Sequence, residues 1–181
     1  ERVQARMSDG RIFEAPPGTP LREFVHAAAG TAHPPIVGAI VNRRLRELTF
    51  PMNHDSDVTC LSSGTSDGAR IYRRSLEFLM LAAVEEVFPD AEVWVEHSAT
   101  TAAAYYCKVR GRAPFTQADL ARIEARMREI VAADAPIVRA TAPSTEAIRL
   151  FCERGELDKA SLLMHRTRDT VVLYSLRGRR D

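Results

Sequence analysis

The stretch YRRSLEFLMLAA, residues 72–83, places two arginines and a serine directly before a run of apolar helix formers. Apolar residues continue beyond it and occupy nearly every side of a helical wheel, as in a helix buried within a core. We therefore predict a core helix over 75–87. The polar, glycine-containing segment 64–70 predicts a linker, and hence one domain at 1–63 and a second at 66–181.

The first domain alternates short strands with a single helix. VQARM and RIFEA predict a hairpin around an SDGR turn. Thr19 as N-cap and Pro20 at the first helical position predict a helix that ends near Gly30. Three further strands are predicted at IVGAIVN, LRELTF and DVTCLSS. Two strands, a helix and then more strands are typical of the β-grasp order.

The second domain mixes helices and strands. FTQADLARIEARMREIVAADAP is the clearest amphipathic helix, with Thr116 as its cap and Asp119 three residues on. STEAIRLFCERG predicts a second capped helix that ends at Gly155, and ELDKASLLMH predicts a helix or a helix–strand transition. Strands are predicted at AEVWVEH, AAYYCKV, PIVRATA and DTVVLYSL. The expected fold class is α+β with a mostly antiparallel sheet.

The bulk composition excludes several classes of protein. The chain has 181 residues and a formal net charge of +1, which gives no bulk attraction to nucleic acid or membrane. Cys60, Cys107 and Cys152 form no C-x-x-C pair, which indicates reduced thiols in a cytoplasmic protein. No apolar run approaches the roughly 20 residues that span a bilayer. Both ends look cut, so we expect the chain to be part of a longer protein.

Common catalytic and nucleotide-binding motifs are absent from the sequence. It contains no G-x-x-x-x-G-K-[ST], no G-x-G-x-x-G and no G-x-S-x-G. The five histidines show no i,i+4 pair, so a zinc site would need ligands from unrelated elements. His97 and Ser98 lie at a predicted strand–loop junction, where sites tend to form. We expect His97 to have either a functional role or a structural hydrogen bond.

The order of segments resembles the N-terminal half of threonyl-tRNA synthetase over essentially the whole chain. Four segments carry the resemblance: DGRIFEAPPGTPLREF, YRRSLEFLMLAAVEEVFPDAEV, FTQADLARIEARMREI and STEAIRLFCERGELDKASLL. The last three occur in that family's order and spacing. The resemblance implies a TGS domain of β-grasp type, followed by the fold of the synthetase editing domain.

The editing constellation of that family is not kept in this chain. The two histidine positions of its H-S-x-x-H run correspond to Arg74 and Phe78, and only the serine remains. Its later C-x-x-x-H corresponds to Leu176 and Arg180. Hydrocarbon side chains offer no lone pair to a metal or water, and arginine is no base at neutral pH. The resemblance thus implies a degenerate site with no stoichiometric zinc and no recognisable active centre, although Lys159 matches a lysine of the editing pocket.

A group of uridine kinase-like (nucleoside kinase) proteins is more similar to this chain at the replaced positions. The shared segments are V-G-A-I-V-N, R-I-Y-R-R-S-L-E-F-L, I-E-x-x-M-R-E-I, and an H-S pair followed by Y-C, here His97, Ser98, Tyr106 and Cys107. The chain departs from that group in ATTAAAY, where lysine–glycine is usual. The resemblance implies an N-terminal module without a cofactor of its own. ATP and Mg²⁺ are implied only for a P-loop kinase domain that would follow it.

Three functions follow as alternatives. The leading one is a non-catalytic ligand-, RNA- or self-binding regulatory module of a nucleoside phosphotransferase. The second is an editing hydrolase acting on mischarged tRNA, with His97, Cys107 and Lys159 as substitute chemistry. The third is a stand-alone RNA-binding module whose arginines contact phosphates, although these arginines could equally form a solvated face. The arginines in question are Arg74, Arg110, Arg112, Arg177, Arg179 and Arg180.

The candidate ligand-binding residues surround the former editing pocket. They are Arg74, His97, Ser98, Cys107, Lys159 and Arg180. Cations cannot share a dry cavity without counter-charge, because each desolvated ion costs several kcal/mol. We therefore expect the arginines to pair with Glu77, Glu96 or Asp181, to bind a nucleotide or RNA phosphate, or to open to water. The expected partners are a downstream kinase domain or such a phosphate, with no membrane, and the sequence does not indicate an oligomeric state.

Overall fold

The computed structural model of the chain describes three ranges of residues: 1–30, 33–99 and 104–180. The side chains of residues 97–99 lie outside this description. The chain forms two compact units, Glu1–Leu76 and Glu77–Asp181.

The first unit contains a mixed sheet and one short helix. Its elements are β1 (Val3–Met7), β2 (Ile12–Ala15), β3 (Thr19–Pro20), α1 (Leu21–Ala29), β4 (Ile36–Val41), β5 (Arg44–Arg46), β6 (Pro51–Met52) and β7 (Ser56–Ser62). Five strands form one sheet in the order β2-β1-β7-β4-β5, and β3 pairs with β6 separately. β1 and β7 are parallel, whereas the other neighbours in the sheet are antiparallel. This arrangement agrees with the β-grasp order expected from the sequence.

The core of the first unit lies between α1 and the sheet. Leu21 and Phe24 of the helix belong to one buried apolar cluster with Ala5 and Val58 of the central strands. Met52 on β6 is also buried in this cluster. β1 alternates buried and more exposed side chains, as expected for a strand with one face on the core, whereas the buried Val58 and Leu61 of β7 are three residues apart.

Two local predictions in the first unit are wrong. Thr19 does not cap α1, because its hydroxyl donates a hydrogen bond to the carbonyl of Pro16 at 2.7 Å and Pro20 occupies the cap position. LRELTF is not one strand. β5 ends at Arg46, and the backbone then turns so that the N–H of Phe50 donates to the carbonyl of Glu47 at 3.0 Å.

The long helix α2 (Ser66–Val87) begins at Ser66 and not at the predicted Ser75. Thr65 caps it, because its Oγ1 accepts a hydrogen bond from the backbone N–H of Gly68 at 3.2 Å. A Cβ at Gly68 would lie 1.9 Å from the carbonyl oxygen of Ser62, so this close approach requires glycine. The segment predicted as a linker is therefore helical from Ser66 onward. The boundary between the compact units falls inside α2, and the predicted domain limits stay a prediction.

The second unit combines three more helices with two antiparallel sheets. Its further elements are β8 (Glu92–Ala99), β9 (Ala104–Arg110), α3 (Gln117–Ala132), β10 (Val138–Pro143), α4 (Ser144–Glu153), α5 (Leu157–Met164), β11 (Thr170–Leu176) and β12 (Arg179–Arg180). β8 pairs with β9, and the second sheet has the order β10-β11-β12. The α+β class with mostly antiparallel sheet is confirmed. The short β12, which follows a tight turn with positive φ at Arg177 and Gly178, was not predicted.

Of two helix caps predicted in the second unit, the cap of α3 is confirmed and that of α4 is wrong. Thr116 and Asp119 form the predicted capping box of α3, in which each side chain accepts a hydrogen bond from the other residue's backbone N–H. α4 lacks the expected side-chain cap, because the Ser144 hydroxyl donates instead to the carbonyl of Arg168 at 2.7 Å. Within the described ranges, no helix is both long enough and apolar enough to cross a membrane.

Candidate functional site

The former editing positions on α2 and β11 are filled by hydrocarbon. Phe78 and Leu176 are 9% and 2% exposed, and they belong to one buried apolar cluster of the second unit. Ala83, Ile123 and Ile130 complete the same cluster. No polar or charged residue is buried in the part of the chain that the structure describes. The cluster therefore offers no ligand for a metal and no base for a water molecule.

The arginines at the other two former editing positions are exposed. Arg74 lies in the first compact unit and Arg180 in the second, and neither forms an ion pair with another described residue. Of the counter-charges expected for them, Glu96 pairs with Lys108, and Asp181 lies outside the described residues. Their approach to a common pocket stays a prediction.

The β8–β9 hairpin carries three of the predicted site residues. His97 and Ser98 stand opposite Tyr106 and Tyr105 in the ladder, but their side chains lie outside the described set. Cys107 pairs with Val95 and is half-buried. Burial raises the pKa of the Cys107 thiol, and the negative charge of Glu77 adds to the rise. Cys107 is therefore held as a neutral thiol at pH 7, which is unsuited to nucleophilic attack.

Lys159 lies on α5 and is held within the second unit. Its Nζ is 2.9 Å from Oε2 of Glu156, in an ion pair that lacks hydrogen-bond geometry. The same ammonium group lies 5.3 Å from the centroid of the Phe151 ring. Both contacts hold the Lys159 ammonium in place within the second unit.

An arginine–glutamate network, which we define as Glu85, Glu86, Arg126, Arg154, Glu156, Arg177 and Arg179, joins α2, α3, the α4–α5 junction and the β11–β12 turn. Arg179, whose side chain is 14% exposed, lies 2.9 Å from Glu85 and 3.8 Å from Glu156. Glu86 is 2.6 Å from both Arg177 and Arg126. Hydrogen bonds from these two guanidinium groups hold the pKa of Glu86 below its ordinary value, and the bond from Arg177 has the larger effect. The network therefore neutralises two of the arginines proposed to contact phosphates.

Two more of those arginines are committed to aromatic rings. The guanidinium of Arg110 lies 4.8 Å from the Trp94 ring centroid. Arg112 lies 4.3 Å from the ring of Phe88 and 3.1 Å from the carboxylate of Asp119. The interpretation of Arg112 as a free phosphate contact loses support, because its charge is paired with Asp119, whereas the ring beneath Arg110 positions that guanidinium without cancelling its charge.

A pocket that the sequence did not indicate lies in the first unit, beside the β4–β5 hairpin. We call it the hairpin pocket; its cavity measures about 300 Å³, and its principal lining residues are Asn42, Arg44, Arg46, Phe50, Asn53 and His54. No aspartate or glutamate lines it. The run Asn42-Arg43-Arg44 could have indicated a turn beside a cationic surface, because asparagine ends an apolar strand there. The pocket was not predicted because LRELTF was predicted as a continuous strand.

The turn that forms the hairpin pocket is fixed by one side chain. Asn42 and Arg43 both have positive φ, 48° and 64°, as in the two-residue turns that favour Asn-Gly. The Asn42 side-chain oxygen accepts a hydrogen bond from the N–H of Asp57 at 2.9 Å. Its amide nitrogen donates to the Ser56 hydroxyl at 3.1 Å. Arg43 thus occupies a position where glycine would be unstrained.

The described residues contain no group of three or more His, Cys, Asp or Glu side chains placed to hold a metal ion. The zinc content of the chain stays a prediction that metal analysis must test.

The chain is similar in sequence to several proteins of one kind. No family model matches the chain. It is 32% identical over 174 residues to the threonine–tRNA ligase of Pelobacter propionicus, covering 96% of this chain and 27% of that protein. It is 32% identical over 181 residues to the enzyme of Acidovorax sp. strain JS42, covering 99% and 28%. For Symbiobacterium thermophilum the identity is 31% over 176 residues, covering 97% and 27%.

The chain therefore spans about a quarter of the length of the curated relatives that it matches. Nearly all of its own length is aligned with them. With the α+β fold described above, this makes the chain similar to the N-terminal region of threonine–tRNA ligases, as a TGS-like unit followed by an editing-domain-like unit.

Proposed function

We propose that the chain is a non-catalytic module that binds RNA, with tRNA as the class of ligand. The observation that best supports a non-catalytic role is the burial of Phe78 and Leu176 in one apolar cluster. These are positions that the resemblance matches to editing residues. A closely packed interior has no room for an aminoacyl ester or for the attacking water. Binding without hydrolysis is the function that such a unit can keep.

Two observations support RNA as the ligand: the names of the relatives, and arginines of the first unit that form no ion pair. The relatives are named as ligases of tRNA, and this chain corresponds to a segment of them. Arg43, Arg44 and Arg46 form no ion pair with a described residue. Because the net charge is only +1, we expect few phosphate contacts and modest affinity.

The first test asks whether the chain hydrolyses a mischarged tRNA. Seryl-tRNA incubated with the chain is expected to lose its amino acid no faster than in buffer, because the buried side chains of Phe78 and Leu176 provide no base. The competing hydrolase hypothesis requires deacylation that disappears in His97→Ala, Cys107→Ala or Lys159→Ala. Deacylation with that pattern would overturn the proposal.

The second test measures binding of tRNA by fluorescence anisotropy across a salt series. Two or three arginine–phosphate contacts predict a slope of log K against log salt of about −2 to −3. A DNA duplex of the same length serves as a control for non-specific charge attraction. Absence of tRNA binding at low salt would contradict the proposed function.

We further propose that the parent protein is a nucleoside kinase-like phosphotransferase, in which this module regulates or binds the kinase domain. The proposal is supported by the shared segments R-I-Y-R-R-S-L-E-F-L and V-G-A-I-V-N. The coding frame downstream of Asp181 tests it directly. A G-x-x-x-x-G-K-[ST] motif following a predicted strand is the expected result, and a ligase catalytic domain would contradict it.

A further inference from the structure

We propose that the hairpin pocket of the first unit is a phosphate-binding site for a nucleotide, taken either free or as part of an RNA strand. The inference deepens the proposed function, on which it rests for the RNA case. It assigns the phosphate contact to residues of the first unit and not to the positions that the resemblance matches to editing residues.

The charge of the pocket favours an anion. Arg44 and Arg46 line it and form no ion pair with any described residue. The two acidic residues that follow His54 are already engaged: Asp55 accepts a hydrogen bond from the backbone N–H of Gln4 at 2.8 Å, and Asp57 pairs with Arg6 at 3.2 Å. Asp57 therefore already has a cation as its partner, and no carboxylate lines the pocket to pair with Arg44 or Arg46.

The arrangement of the two arginines suits a phosphate group. Residues two apart on a strand project from the same face, so Arg44 and Arg46 both flank the cavity while the residue between them does not line it. Guanidinium groups bind phosphate through paired N–H donors. Arg46 is also held by the ring of Phe50, whose centroid lies 4.6 Å from its Cζ. One arginine is therefore already positioned, and the second is free to close on the ligand.

The size and the other lining groups favour a nucleotide over a bare phosphate. A cavity of about 300 Å³ is at the lower end of the range for small-molecule sites. Asn53 and His54 line it and supply hydrogen-bonding groups beyond those of the arginines, as a ribose or base requires.

The backbone of the pocket is organised before any ligand arrives. Asn42 holds the turn to β7 through the N–H of Asp57 and the hydroxyl of Ser56. The Ser56 hydroxyl in turn donates to the carbonyl of His54 at 2.9 Å. Binding therefore does not need to order the hairpin, which lowers its entropic cost.

The experiment is a calorimetric titration of the 181-residue chain with uridine 5′-monophosphate, uridine, inorganic phosphate and a short single-stranded RNA. We expect the monophosphate to bind at least tenfold more tightly than uridine. Arg44→Ala combined with Arg46→Ala is expected to weaken its binding at least tenfold. Arg128→Ala combined with Arg149→Ala removes the same charge from exposed helical ion pairs and is expected to change the affinity less than twofold.

The outcomes separate the pocket from the proposed function. Unchanged affinity in the pocket variant, or an equal loss in the control variant, overturns the pocket. If the wild-type chain binds tRNA and the pocket variant binds it equally well, the pocket fails while the proposed function stands. If only the free monophosphate binds and the pocket variant loses it, the pocket stands and RNA binding fails.

A second measurement covers the case in which the pocket variant does not fold. Amide NMR shifts of the wild-type chain with the monophosphate are expected to concentrate in residues 42–56. Shifts confined to the second unit would overturn the assignment. Binding of inorganic phosphate as tight as that of the monophosphate would show an anion site without nucleotide recognition, which also contradicts the proposal.

Discussion

Two groups of arginines, one in each compact unit, differ in whether they have carboxylate partners. In the second unit, Arg154, Arg177 and Arg179 are tied to Glu85, Glu86 and Glu156, and the positions matched to editing chemistry are packed with hydrocarbon. In the first unit, consecutive arginines at the β4–β5 hairpin have no carboxylate partner among the described residues, and a cavity lies beside them. Arginine content alone therefore says little about binding. What matters is whether the structure supplies the counter-charge.

The largest effect that tests this comparison is expected from Leu176→Ala. Removing a side chain that is 2% exposed leaves a cavity in the second unit and should lower the free energy of unfolding by about 3 kcal/mol. Leu162→Ala, at a side chain that is 71% exposed, is the matched control and should change it by less than about 0.5 kcal/mol. Urea denaturation measures both. Equal effects would mean that the former editing positions are not closed.

A smaller effect is expected from Arg179→Ala, which removes one of the two guanidinium groups that Glu85 and Glu156 share and leaves that of Arg154. We expect the free energy of unfolding to fall by about 1.5 kcal/mol, because Glu85 loses a charged hydrogen bond from a largely buried arginine. Arg44→Ala should change the free energy of unfolding by less than about 0.5 kcal/mol, since Arg44 has no ion pair to lose. A larger loss of stability in Arg44→Ala than in Arg179→Ala would contradict the difference in ion pairing between the two groups of arginines.

The pH dependence of stability tests the ion pairs of Glu86 in the second unit. Its pKa is lowered chiefly by the hydrogen bond from Arg177, so the stabilisation is present above the ordinary value of 4.5 and is lost as pH falls through the lower folded value. Glu86→Gln should therefore be less stable than the wild-type chain at pH 7. The difference should shrink on acidification below about pH 4.5. Thermal unfolding at pH 7 and pH 3 measures it, and a difference that does not depend on pH would contradict the ion pair.

The smallest expected effect is that of Arg43→Gly in the hairpin turn. Relief of the left-handed conformation at φ 64° should raise the free energy of unfolding by up to about 1 kcal/mol, partly offset by the greater freedom of unfolded glycine. The nucleotide affinity should stay within twofold, because Arg43 does not line the cavity. A loss of stability would show that the Arg43 side chain makes a contact worth more than the strain.

Patterns that depend on local chemistry were predictable from the sequence. The α3 capping box follows from Thr116 and Asp119 alone, and most strands were found because apolar alternation marks a half-buried surface. Gly68 shows where such reasoning fails. Its presence suggested a linker, whereas it permits close approach to the carbonyl of Ser62, a contact that only the folded chain brings about.

The candidate site was less predictable than the fold. That Phe78 and Leu176 supply no catalytic group could be predicted, because neither side chain can ligate a metal in any conformation. The pairing of Arg177 and Arg179 with glutamates of α2 could not, since it joins residues far apart in the sequence. The hairpin pocket was missed for a similar reason, because its lining comes from the turn, from β5 and from the loop that follows.

The alternation along β5 makes the hairpin pocket sensitive to insertions and deletions. Arg44 and Arg46 line the cavity, while Leu45 between them lies on the other face, near Gly38. A single residue added after Arg43 would exchange these faces and put leucine where the cations now stand. Homologous chains that keep the site should therefore tolerate a change of residue at position 43, which does not line the cavity, more readily than a change in the length of the turn. Loop length here would be a better marker of shared binding than the identity of any single arginine.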